Sequence, residues 1–128
     1  MPMPDDYDSM LNYGMSLVLK KKYLEAKNIF ENLILQDTKR YEAYLNISNI
    51  ESIYKNYDNS EIILTKFNKV NGYNKNIVTA TASLYYNTRN FAKLENILEK
   101  YINKEKNHIL FYLKGVLLEE KSFVNESI

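Results

Sequence analysis

Side-chain types in this chain recur every 34 residues. Tyr23, Tyr57 and Phe91 fall into one column, Phe30, Leu64 and Leu98 into a second, and Leu33, Phe67 and Tyr101 into a third. Met10, Tyr44 and Val78 make a fourth, and the small residues Gly14, Ser48 and Ala82 a fifth. A period of that length means one supersecondary unit stacked on copies of itself, because each unit has an apolar face that only a neighbour can cover. A fourth copy starts one residue early, and the stretch from His108 to Gly115 matches the approach to Gly14. The copies are expected to span roughly 7–40, 41–74, 75–107 and, in part, 108–128, as one domain over 1–128.

Inside each copy the spacing is helical. Met10, Tyr13, Gly14, Leu17 and Val18 recur at the i, i+3, i+4, i+7, i+8 interval of one helix face. Ala26, Ile29, Phe30, Leu33 and Ile34 do so again after Lys20-Lys21-Lys22. Two helices and a short turn make an αα-hairpin. Pro2 and Pro4 are the only prolines, so the strongest helix breaker is missing from residue 5 onward. Helices are predicted near 7–20, 24–37, 39–55, 59–70, 75–88, 91–104 and 108–121, an all-α chain.

The columns also predict packing. The small residues Gly14, Ser48, Ala82 and Gly115, with Ala26 and Ser60, are expected to let paired helices approach closely. Phe30, Leu33, Phe67, Leu98 and Tyr101, together with Tyr23, Tyr57 and Phe91, are expected to fill the space between hairpins. Glu51 stands in a column that is otherwise Leu17 and Tyr85.

The run from Met10-Leu11-Asn12-Tyr13-Gly14 through Tyr23-Leu24-Glu25-Ala26 to Phe30 resembles the tetratricopeptide repeat (TPR). The resemblance covers essentially residues 7–128. It implies a right-handed helical-hairpin solenoid of three TPR-like repeats plus a C-terminal helix, either a cap or the start of a fourth repeat from Ser122 to Ile128. Departures are the missing proline at the end of each unit and Leu94 in place of the usual alanine, which should splay or shift the third hairpin. In the family, the first helix of each pair lines a groove that holds a protein or peptide partner. The positions that match are Leu11, Met15, Val18 and Leu19, then Leu45, Asn49, Ser52 and Ile53, then Thr79, Ser83, Tyr86 and Asn87, and finally Tyr112, Val116, Glu119 and Glu120. The amides of Asn49 and Asn87 hold both donor and acceptor, as an extended peptide backbone requires. The charged grip that some members use on a C-terminal carboxylate is not expected, because its positions are Leu11, Met15, Asn46, Asn76 and Ala80, of which only Asn46 agrees.

Composition removes several chemistries. With no cysteine and His108 as the single histidine, neither a thiolate or histidine metal site nor a nucleophile–base pair is expected. The three glycines are isolated, so there is no phosphate loop. Asp5-Asp6-Asp8 fits a helix N-terminus, and Glu119-Glu120 fits a solvated face. No enzyme activity, cofactor or metal is therefore expected. A formal net charge of +1 opposes a nucleic-acid partner, and Lys20-Lys21-Lys22 reads as a helix C-terminus more than as a phosphate patch. No run is long and apolar enough for a membrane span, and the first residues lack a secretory pattern. The expected role is a cytoplasmic interaction scaffold, with self-association open. The competing reading is the N-terminal repeat segment of a longer enzyme, such as a glycosyl- or sulfotransferase.

Overall fold

The computed structural model describes residues 6–126, which form seven helices: α1 (Tyr7–Leu19), α2 (Tyr23–Gln36), α3 (Glu42–Ile53), α4 (Tyr57–Asn71), α5 (Lys75–Asn87), α6 (Phe91–Tyr101) and α7 (His108–Glu126). No strand occurs among the described residues. The second helix of each hairpin starts on the first column of the repeat, at Tyr23, Tyr57 and Phe91.

The turns inside the hairpins repeat as faithfully as the helices. Lys21, Lys55 and Arg89 adopt left-handed backbone, with φ of 62°, 62° and 58°. The Lys21 N–H donates to the Val18 carbonyl and the Lys22 N–H to the Leu17 carbonyl. Lys55 and Asn56 repeat the pattern on Ser52 and Glu51, and Arg89 and Asn90 on Tyr86 and Tyr85. This is the Schellman closure, which satisfies carbonyls that a helix end leaves orphaned. The carbonyls of Lys22, Asn56 and Asn90 then accept from Ala26, Ser60 and Leu94, so the next helix begins at once.

By its internal contacts the chain divides into two compact units, Met1–Ile77 and Val78–Ile128, with the first turn of α5 in the first. In the first unit α1 packs on α2, α3 on α4, and α2 on α3. Its core holds Ala26, Phe30, Leu33, Ala43, Tyr44, Ile50 and Leu64, all essentially sealed from solvent. The Tyr44 and Phe67 rings meet edge to face, 5.1 Å between centroids. Small residues let α3 and α4 touch backbone to side chain: the Ser60 hydroxyl donates to the Ser48 carbonyl at 2.8 Å. In the second unit Val78, Ala82, Leu94, Leu98, Leu110, Leu113 and Leu117 are buried. Leu94 is completely enclosed, so the side chain that replaces a small one is taken into the core.

Five expectations need correction, and the first is Gly115, which is exposed with open space where a β-carbon would stand, so it does not set a close helix approach. Tyr57 is 40% exposed, and Tyr23 and Phe91 are only half-buried, so this column marks helix starts at the turn edge and does not fill the core. The reason is position: the first helical residue lies at the turn end of its hairpin, away from the buried middle of the helix pair. Helix α3 starts at Glu42, not near 39, because the Asp37 carboxylate accepts from the Lys39 N–H and holds these residues in an Asx turn. Helix α6 stops at Tyr101, short of 104, and the segment before α7 is turn. Finally, α7 runs unbroken through Ser122, the fourth-copy counterpart of Lys21, so no second helix of a fourth hairpin starts there. Leu117 to Lys121 are strong helix formers, and the backbone simply continues. Asp5, Ser127 and Ile128, which carried sequence expectations, lie outside the described residues.

Candidate functional site

The first helices present the side chains that the family resemblance singles out. On α1, Leu11 is half-buried and Met15 is 46% exposed. On α3, which touches α1, Asn49 is exposed and its amide has no hydrogen-bond partner among the described residues. Ser52 is half-buried and turned towards α4, where it meets the Ser60 hydroxyl at 2.8 Å. Since Ser60 spends its own proton on the Ser48 carbonyl, Ser52 is the donor of this pair. In the second unit, Ser83 and Tyr86 are half-buried on α5, Asn87 is exposed at its end, and Tyr112 on α7 is 65% exposed. Asn46, the one position agreeing with a carboxylate grip, donates to the Glu42 carbonyl of its own helix at 2.9 Å.

Three polar clusters emerge that the sequence did not reveal. Glu51 is buried, and the Lys27 ammonium on α2 reaches its carboxylate at 2.6 Å. Asn56 and Asn59 each donate to the same carboxylate at 3.3 Å. The Lys27 contact, helped by the two amides, holds the Glu51 carboxyl below the ordinary carboxylate range even though burial pushes the other way. The sole sequence signal was a charge in an apolar column. The second cluster is Arg40, whose guanidinium stacks 3.9 Å over the Tyr7 ring while pairing with Asp8 at 2.8 Å and Glu42 at 2.7 Å. It ties the start of α1 to the start of α3. The third is Asn107, buried in front of α7: its carbonyl oxygen accepts from the N–H groups of Ile109 and Leu110, and its amide donates to the Thr79 hydroxyl on α5 at 2.7 Å. Each cluster joins helices; none gathers catalytic groups around a cleft.

The other polar residues that the sequence singled out have simple surroundings. The Asp6 carboxylate caps α1 by accepting from the Ser9 N–H at 3.0 Å. His108 is the exposed first residue of α7. Glu119 is exposed, and Glu120 pairs with Arg89. No group of three or more potential metal ligands occurs among the described residues.

No protein-family model matches the chain, and no curated protein matches it in sequence. Solved structures do. YrrB, described as a TPR protein with an unusual peptide-binding site, superposes with a TM-score of 0.68 at 13% identity over 94% of this chain and 63% of that one. The chain has the tetratricopeptide-repeat fold. The type III secretion chaperone SycD of Yersinia enterocolitica, in complex with a peptide of the translocator YopD, is similar to this chain with a TM-score of 0.72 and 16% identity, covering 92% of this chain and 93% of that one. Pseudomonas aeruginosa PilF gives 0.69 and 19% over 91% of this chain and 54% of its own. The chain thus spans about half of PilF, under two thirds of YrrB and nearly all of SycD.

Proposed function

We propose that this TPR chain is an interaction scaffold that holds a peptide or an extended protein segment against the exposed faces of its first helices. One observation carries the reading: Met15 stands in water beside a helix whose Asn49 amide is exposed and unpartnered among the described residues. A large apolar side chain left in solvent and an amide that can both donate and accept are what an extended backbone with an apolar side chain would engage. Leu11 extends the apolar part in the first unit, and Ser83, Tyr86, Asn87 and Tyr112 offer the corresponding faces in the second. Ser52 contributes less, since its hydroxyl is already spent on Ser60. YrrB and SycD, whose descriptions both name a peptide, support the reading by fold.

Selection from a displayed random-peptide library, followed by titration of enriched sequences, tests it. Met15→Glu and Asn49→Ala should each weaken an enriched peptide about tenfold, the equivalent of ~1.4 kcal/mol, without moving the melting temperature. Failure to enrich any peptide, or binding indifferent to both substitutions, would sink the proposal.

A further inference from the structure

The turn edge of the first unit gathers unpaired cations and exposed apolar side chains. Lys20, Lys21 and Lys22 are all exposed, and none has an ion-pair partner among the described residues. Leu19, 85% exposed, precedes them, and Leu24, 69% exposed, follows closely. The Tyr54 ring lies edge-on to Tyr23 with centroids 6.0 Å apart, which brings the second hairpin's turn alongside the first. Lys55, exposed and likewise unpaired, is thereby added to the same edge. The carboxylates there are Glu25 and Asp58, both exposed, while Glu51 is taken up by Lys27. Four free cations therefore face two acids.

Turn geometry does not account for this. A left-handed residue favours glycine or asparagine, not lysine. The third hairpin shows the contrast: Arg89 occupies the same column as Lys21 and Lys55, yet it pairs with Glu120 at 3.4 Å and lies over the Phe91 ring at 5.0 Å. The helix dipole can explain a lysine at the end of α1. It does not explain two leucines left in water on either side.

We infer that this edge docks on an anionic lipid-bilayer surface. The lysines meet phosphate and carboxylate headgroups, while Leu19, Leu24 and Tyr54 enter the interface, where leucine side chains and tyrosine rings are favoured. The contact is peripheral, since no helix among the described residues is long and apolar enough to cross a membrane. A single-stranded RNA would use the lysines and the tyrosine rings but leave both leucines without a task, which favours lipid. The edge shares Leu19 with the groove positions of the family resemblance but uses neither Met15 nor Asn49, whose substitutions test the peptide reading, so either reading stands or falls alone.

Co-sedimentation of the full chain with vesicles of phosphatidylcholine, with and without roughly one third phosphatidylserine, tests the inference. Binding to the anionic vesicles should exceed binding to the neutral ones by about tenfold or more and fall about tenfold at high salt. Combining Lys20→Gln, Lys21→Asn, Lys22→Gln and Lys55→Asn should abolish the anionic preference. Asparagine is chosen at the two left-handed positions because it tolerates that backbone, and an unchanged thermal melt confirms folding. Leu19→Ser with Leu24→Ser should weaken vesicle binding several-fold at either salt concentration. Equal binding to both vesicle types, or unchanged binding by either variant, overturns the inference. So does tighter binding of a single-stranded RNA oligonucleotide that is indifferent to the leucine substitutions.

Discussion

Phe30 occupies the space that a β-carbon on Gly14 would need. Its ring carbon Cε1 lies 2.6 Å from that point and Cζ 2.9 Å, with Ile29 Cγ2 at 3.3 Å. The ring is completely buried and has nowhere to retreat. Gly14→Ala should therefore destabilise by about 1–3 kcal/mol through overpacking, although alanine in a helix interior would otherwise gain about 1 kcal/mol. Gly115, its counterpart on α7, has no atom within 4 Å of the point where a β-carbon would stand, so Gly115→Ala should stabilise by about 0.5–1 kcal/mol. Opposite signs in chemical denaturation would establish that only the first glycine is a packing requirement. Phe30→Ala should cost about 3–5 kcal/mol, and Phe30→Leu should shrink the penalty of Gly14→Ala, since residues in contact are not additive.

The Glu51–Lys27 pair makes stability depend on pH in a defined direction. Glu51 is held below the ordinary carboxylate range, so its contribution is fully present above about pH 4–5 and is lost as acid protonates the folded form. Lys27 is raised, first by Glu51, so its contribution is present below the ordinary lysine value and lost as pH rises through the folded one. Glu51→Gln should lower stability by about 1–3 kcal/mol at pH 7, and the gap to the parent chain should narrow as pH falls below the ordinary carboxylate range and acid protonates the folded form. Lys27→Met with Glu51→Leu should be neutral or stabilising, because two apolar side chains need no desolvation of charge. Urea denaturation followed from pH 7 downward into acid reads both effects. A gap that persists in acid would contradict the pairing.

Asn107 both caps α7 and reaches across to Thr79 on α5. Asn107→Ala removes the cap and leaves the Thr79 side without its donor, at a cost of about 1–3 kcal/mol. Asn107→Asp should recover the capping part, since its carboxylate still accepts from Ile109 and Leu110. It should not recover the whole, since the ionised side chain has no proton to donate to Thr79. Thermal melts of the two variants separate the contributions.

The left-handed residues Lys21, Lys55 and Arg89 predict a position-specific response to β-branching. Lys55→Val should cost about 1–2 kcal/mol, because a branched side chain crowds the following carbonyl in that conformation, whereas Lys55→Gly should match or exceed the parent's stability. Equal melts for valine and glycine would show that the turn relaxes to another geometry.

Much of this fold can be read from local side-chain volume. The 34-residue recurrence of Gly14, Ser48 and Ala82 placed the close contacts, and the columns of Phe30 and Leu33 placed the core, since volume and period belong to each residue wherever it stands. The turns were legible only as positions. Their left-handed residues are lysine and arginine, which carry none of the glycine signal that usually marks this backbone. The candidate peptide-holding faces were legible only through family resemblance, because exposure is not written in a residue's type: Met15 ends in solvent, while Ser52 turns to Ser60.

By itself, the sequence determined that the chain is helical, where each helix begins within a few residues, and that one helical-hairpin unit recurs along it. It could not assign partners to polar side chains. Glu51 read as a misfit until folding set Lys27 of another helix against it, and Asn107 read as an ordinary loop residue until Thr79 came within reach. Which helices come face to face depends on the packing of all of them together. A buried charge or amide becomes stabilising only once that packing supplies its opposite.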